Sequence, residues 1–124
     1  MVSDNTIKTI ADIGFMAATN GMSKHAFGIF CALEKVRPDS VLPSLGFATV
    51  FINKKMNQEA LEILHKEAIP KDPDSPAVKA FIGLALMLEG RNKESEDTLA
   101  DAAATKDPEA KVMAEELLAE IRQG

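Results

Sequence analysis

The feature that most constrains this chain is a repeat. Three segments are versions of one pattern: TIADIGFMAATNGMSKHAFGIFCALEKVRPDS, LPSLGFATVFINKKMNQEALEILHKEAIPKDPDS and AVKAFIGLALMLEGRNKESEDTLADAAATKDPEA. Aligned on their middles, Ala26 meets Ala60 and Ser95, at separations of 34 and 35 residues, and Gly14 meets Ala48 and Gly83. Pro38, Pro73 and Pro108 succeed one another at 35. A unit this short cannot bury its own apolar face. A period near 34 with small residues at fixed offsets therefore predicts helix–turn–helix units that stack on one another.

Each unit reads as two helices. Ile10, Ile13 and Ala17, then Ala26, Ile29, Phe30 and Leu33, recur at helical spacing. Gly14 falls inside the first helix, where glycine costs about 1 kcal/mol relative to alanine. It is read as a contact residue that lets the helix of Ala26 come close, with Ala48/Ala60 and Gly83/Ser95 as its echoes. Gly21 and Gly90 stand where the first helix must stop, and Ser23 is placed to cap the second. In the middle unit Lys54, Lys55 and Asn57 make that turn without glycine, so residue 55 either carries strain or avoids a positive φ. RPDS, KDPDS and KDPEA close the units, because proline cannot continue a helix and Asp or Ser can cap the next. The remaining PEAKVMAEELLAEIRQG puts Ala110, Met113, Leu117 and Ile121 on one side of an end helix with a polar outer face. The expectation is an all-α chain of seven helices in one domain over 1–124. Its repeats span about 7–40, 41–74 and 76–108, and a capping helix covers 109–123.

Composition narrows the function. Charged residues make up 27% and hydrophobic ones 46%, the balance of a globular chain, and tryptophan and tyrosine are absent. A net charge of −5 with no Lys/Arg block argues against nucleic acid. One cysteine, Cys31, forms no internal disulfide and fits a reducing compartment. MVSDNTIKTI lacks the basic and apolar regions of a secretory signal, and no 18-residue apolar window predicts a membrane span. A cytoplasmic setting is expected.

The pattern resembles the tetratricopeptide repeat over nearly the whole chain. In that family small residues in both helices of a unit let them touch, which matches Gly14, Ala48 and Gly83 with Ala26, Ala60 and Ser95. A large residue comes later in the second helix, here Phe30, Leu64 and Leu99, and then a proline. The chain departs where the family favours large aromatics, with Ile10, Ser44 and Lys79, then Ala17, Phe51 and Leu86. The second and third units also carry one extra residue before the proline. The resemblance implies a short right-handed α-solenoid whose first helices line a concave face.

Candidate chemistry is sparse. His25 and His65 occupy nearly equivalent places in successive second helices, with no Cys or carboxylate at ligand spacing, so no metal site is expected. Cys31, between Phe30 and Ala32, is read as a small buried hydrophobe. The glutamates alternate with lysines, as in Glu62 and Lys66 at i,i+4, which describes a solvated helix face. GLALMLEG comes after no strand and makes no phosphate loop. No catalytic residue and no cofactor is expected, and the chain is read as a binding protein rather than an enzyme.

Carried over by the resemblance, the inward positions are Lys8, Ala11, Phe15, Ala18 and Thr19; Leu42, Leu45, Thr49, Ile52 and Asn53; and Ala77, Ala80, Leu84, Met87 and Leu88. Of these Phe15, Leu42, Leu45, Thr49, Ile52, Leu84, Met87 and Leu88 form the candidate partner-binding groove. The positions at which some family members grip a C-terminal carboxylate are Ala11, Phe15, Gly46, Ala77 and Phe81, none with a side-chain donor, so that clamp is absent. An apolar groove suits an amphipathic helix. Segments such as KHAFGIFCALEKVRPDSVLPSLGFATVFINKKMNQEALEIL are similar to the small type III secretion chaperones of the YscG class, which guard the needle subunit. That likeness implies a needle-subunit helix as partner, with a small helical co-chaperone. A generic repeat adaptor, or a self-associating homodimer, is the alternative.

Overall fold

The computed structural model describes residues 2–124. Among them are seven helices and no strand: α1 (Asp4–Thr19), α2 (Ser23–Val36), α3 (Leu42–Asn53), α4 (residues 57–71), α5 (Pro76–Leu88), α6 (Asn92–Ala103) and α7 (Pro108–Gln123). They pack as three antiparallel pairs and an end helix. Each of α1, α3, α5 and α7 touches the next in that series, so these helices form a continuous inner row. α2, α4 and α6 lean on their own partner and on the next helix of that row. This is the tetratricopeptide-like arrangement that the 34-residue period predicts.

The core is divided as the repeat implies. One cluster joins the first pair to α3 through Ile7, Ala11, Ala26, Phe30, Leu33 and Val50. A second joins α3 and α4 to α5 through Ala48, Ala60, Leu64, Val78 and Ile82. The third, with Ala80, Leu99, Ala102, Ala114 and Leu118, joins the third pair to α7. α3 is in the middle and is buried almost all round, from Pro43 to Ala48 and at Val50, which is why its sequence lacks a polar stripe.

The turns inside the three pairs are one structure repeated. The N–H groups of Met22, Met56 and Arg91 donate to the carbonyls of Ala17, Phe51 and Leu86 at 2.8, 2.8 and 2.9 Å. Those of Gly21, Lys55 and Gly90 donate to Ala18, Ile52 and Met87 at 3.2, 2.9 and 3.0 Å. This double closure is a Schellman motif, and it needs a left-handed residue just past the helix. Gly21 and Gly90 supply it at φ 77° and 78°, and Lys55 is held there at φ 62°. Of the two readings open for residue 55, strain is the one realised. The same motif displaces the expected cap: the residue after the left-handed one is itself the N-cap of the second helix. Met22, not Ser23, holds that place, with its carbonyl accepting from the Ala26 N–H at 3.0 Å and no side-chain cap.

Val41 precedes α3 with no side-chain cap, but before α5 and α7 the side chains do cap. Ser75 Oγ accepts from the Val78 N–H at 3.2 Å, and Asp107 Oδ1 accepts from Glu109 and Ala110 at 3.1 and 3.2 Å. Pro38 and Pro73 lie in the turns, whereas Pro108 opens α7 as Pro76 opens α5. The sequence alignment of the third proline is therefore not a spatial one. The extra residue of the second unit has a definite place: α4 runs helically over Asn57–Ile63, widens to a π-helical turn at Leu64–Ala68, and resumes at Ile69–Lys71. A π turn absorbs one inserted residue without rotating the remainder of the helix out of register.

Candidate binding groove

The glycine contacts set the distance between the inner-row helices and the second helices packed against them. A Cβ at Gly14 would lie 2.7 Å from Cζ of Phe30 and 3.0 Å from Cγ2 of Ile29. Gly14 thus brings the helix of Ala26 close, with Ile29 and the Phe30 ring as the side chains set against it. A Cβ at Gly46 would enter the same ring from α3. Phe30, fully buried, is thereby held between glycines of two successive units. In the third unit Gly83 faces Leu99 in the same manner, and here the small-residue pair does touch: Ser95 Oγ donates to the Gly83 carbonyl at 2.7 Å.

On the other side of the inner row two cavities lie in series. The larger, about 470 Å³, has an apolar floor of Ile7, Ala11, Phe15, Leu42, Leu45, Ala77 and Phe81. Its rim is charged, with Asp4, Lys8, Asp12, Arg37 and Glu109. The smaller, about 380 Å³, is lined by Phe15, Thr19, Thr49, Ile52, Asn53, Phe81, Leu84 and Met113. Phe15 and Phe81, with ring centroids 6.3 Å apart, are common to both and form the ridge between them.

Of the residues expected in a groove, Phe15, Leu42, Leu45, Thr49, Ile52 and Leu84 line these cavities. Leu45 does so from beneath, at 3% exposed, as part of the core. Met87 and Leu88 are not among the lining residues, and Leu88 is exposed at the end of α5. Ala80 turns away into the core that α7 covers, and Ala18 into that of the first pair. The sequence reading missed Phe81, noted only as a residue unable to grip a carboxylate, and the residues that α7 brings, Glu109 and Met113. Phe81 holds a position where a clamp would carry a donor, so a large aromatic there was the available signal.

The polar groups of the groove are largely occupied. Thr49 Oγ1 donates to the Leu45 carbonyl at 2.8 Å and Thr19 Oγ1 to that of Phe15 at 3.1 Å. Arg37 donates to Asp4 Oδ1 and to the Val2 carbonyl, both at 2.7 Å, fastening the start of the chain to the first inter-repeat turn. Lys8 lies 3.5 Å from Asp12 and 3.9 Å from Glu109, so the first turn of α7 reaches across to α1 at the rim of the larger cavity. What remains for a ligand is apolar surface.

Elsewhere the titratable groups are surface features. Hydrogen bonding between Arg91 and Glu94 raises the pKa of the first and lowers that of the second, and the bond to Asp97 raises that of Lys93. All three lie at the exposed start of α6. Among the described residues no three His, Cys, Asp or Glu side chains gather in a way that could hold a metal, and His25 and His65 are separately exposed. Cys31 is exposed, contrary to the expectation of burial. α2 buries Ala26, Phe30 and Leu33, and residue 31 is rotated about 100° off that stripe. No helix among the described residues is long and apolar enough to cross a membrane.

The fold is that of known secretion chaperones. The type III secretion translocator chaperone SycD of Yersinia enterocolitica superposes with a TM-score of 0.75 at 18% identity, over 98% of this chain and 92% of that one. PcrH of Pseudomonas aeruginosa gives 0.71 at 18% identity, over 98% and 96%. PcrH in complex with the chaperone binding region of PopB gives 0.69 at 20% identity, over 95% and 96%. No protein-family model and no curated protein matches the sequence. At these identities the likeness fixes the all-helical repeat architecture.

Proposed function

We propose that the chain is a binding chaperone of the type III secretion kind, which holds an apolar segment of a secreted protein in the concave groove. The observation that carries this reading is the pair of apolar cavities on either side of the Phe15–Phe81 ridge. Two separate cavities suit a segment that inserts two apolar side chains in succession, with its backbone passing over the ridge. A smooth trough would instead favour one continuous helix, 10–12 Å across. The reach of Glu109 toward Lys8 narrows the larger cavity at its rim, which also favours a slim, extended segment.

The fold neighbours support the cargo class as well as the role. SycD has been solved with a peptide of the translocator YopD, and PcrH with a region of PopB. A translocator segment is accordingly the preferred cargo here, ahead of the needle-subunit helix that the sequence resemblance implies.

The test is to titrate the chain by calorimetry with translocator and needle subunits of the host's own secretion system, alone and in the Leu84→Glu variant. Half-buried Leu84 tolerates the change, whereas Leu45 is part of the core and would report folding instead. A translocator is expected to bind, with at least a tenfold loss in Leu84→Glu at unchanged helicity. Binding of the needle subunit alone would transfer the cargo assignment to it. Binding of neither, or full affinity in Leu84→Glu, would remove the secretion role or the groove respectively.

A further inference from the structure

The two cavities of the groove differ at their mouths. None of the residues that line the smaller one is charged. The larger one has Lys8 of α1 and Glu109 of α7 on its rim, and their side chains meet at 3.9 Å. Among the described residues this is the one ion pair that joins α1 to α7. It crosses the mouth above a floor that includes Ala11, Leu42 and Ala77, so a side chain bound for that floor has to pass it. The aliphatic stem of Lys8 adds apolar surface to the cavity while its ammonium stays in water.

The pair is built to part easily. Lys8 Nζ is also 3.5 Å from Oδ2 of Asp12, one turn further along α1, so it keeps an anion when Glu109 lets go. The Glu109 side chain is 85% exposed and stays hydrated in either state. Such an exchange costs little, because exposed ion pairs are weak. The backbone beneath Glu109 is fixed. Its N–H donates to Asp107 Oδ1 at 3.1 Å, and Ala110 beside it is buried in the third core. Opening is therefore a side-chain event that leaves α7 in place.

We propose that Lys8 and Glu109 form a latch over the larger cavity, which opens when Lys8 passes to Asp12. Cargo accordingly fills the smaller, unlatched cavity first and the larger one second, across the Phe15–Phe81 ridge. This loading order rests on the groove being the cargo site, whereas the latch is a property of the chain alone and is tested without cargo.

The test places a thiol in each cavity of a Cys31→Ser chain: Ala77→Cys for the larger and Leu84→Cys for the smaller. Each chain is labelled with a bulky reagent, N-(1-pyrenyl)maleimide, and with the small iodoacetamide. The ratio of the two rates reports access, since a change in thiol acidity moves both reagents in the same direction. Glu109→Gln and Lys8→Gln should each raise the ratio at residue 77 by about two- to fivefold, the scale of an exposed ion pair. Asp12→Asn should lower it, because Lys8 then has Glu109 as its one partner. The ratio at residue 84 should hold in all three variants. A ratio at residue 77 that no variant moves, a rise in Asp12→Asn, or equal changes at residue 84 would overturn the latch. When the translocator is added, residue 84 should become protected before residue 77. Simultaneous or reversed protection would overturn the loading order, and protection at neither would overturn the groove as cargo site while leaving the latch to be judged by the rates.

Discussion

Phe30 is the side chain on which the first two units depend. Its ring is closed in by Gly14 and Gly46 and meets Phe15 and Phe47 at centroid distances of 5.0 and 6.2 Å. Adding one methyl at Gly46 forces either the ring or α3 to move, and Gly46→Ala should destabilise the fold by about 1–3 kcal/mol in urea unfolding. Trimming the ring as well, in Gly46→Ala/Phe30→Leu, should recover part of that loss, because residues in contact couple. Strict additivity of the two changes would refute the close-packing account. Lys55 poses the opposite case. It occupies a left-handed conformation that costs a side-chain-bearing residue about 1–2 kcal/mol, so Lys55→Gly should stabilise by about 1 kcal/mol. An unchanged or lowered denaturation midpoint would mean that the turn is not strained.

Among the elements, α7 has two tasks that pull on different residues. Ala110, Ala114 and Leu118 seal the third core, while Glu109 and Met113 border the groove cavities. Leu118→Ala should cost about 2–5 kcal/mol of stability by denaturant titration, as expected for a buried leucine. A loss well under 1 kcal/mol would show that the end helix is only loosely attached. The capping role of this helix was legible from Ala110, Met113, Leu117 and Ile121 at helical spacing. Its intrusion into the groove was not, since no local pattern says how far the inner row curls. The π turn in α4 was visible only as one surplus residue before Pro73. Whether a surplus residue widens a helix or lengthens a turn depends on the core, here on Leu64 and Ala68, both buried on the same side.

At the scale of the whole molecule, stacked units give an apolar groove on the inner row and, among the described residues, a first pair whose Ile13, Met16, Met22 and Val36 stay exposed. The period, the pairing of helices, the positions of the glycine turns and the end helix are all dictated by the sequence. Periodic apolar and small residues leave few ways to bury them, and left-handed turns after a helix select glycine. The neighbours in space are not dictated in that way. That Phe30 is clasped by Gly14 and Gly46 together, that Phe81 shares a ridge with Phe15, and that Leu88 and Cys31 stay in solvent are outcomes of how successive units rotate against each other. That rotation is a sum of many small side-chain fits across three cores, and it is fixed only when all of them are packed at once.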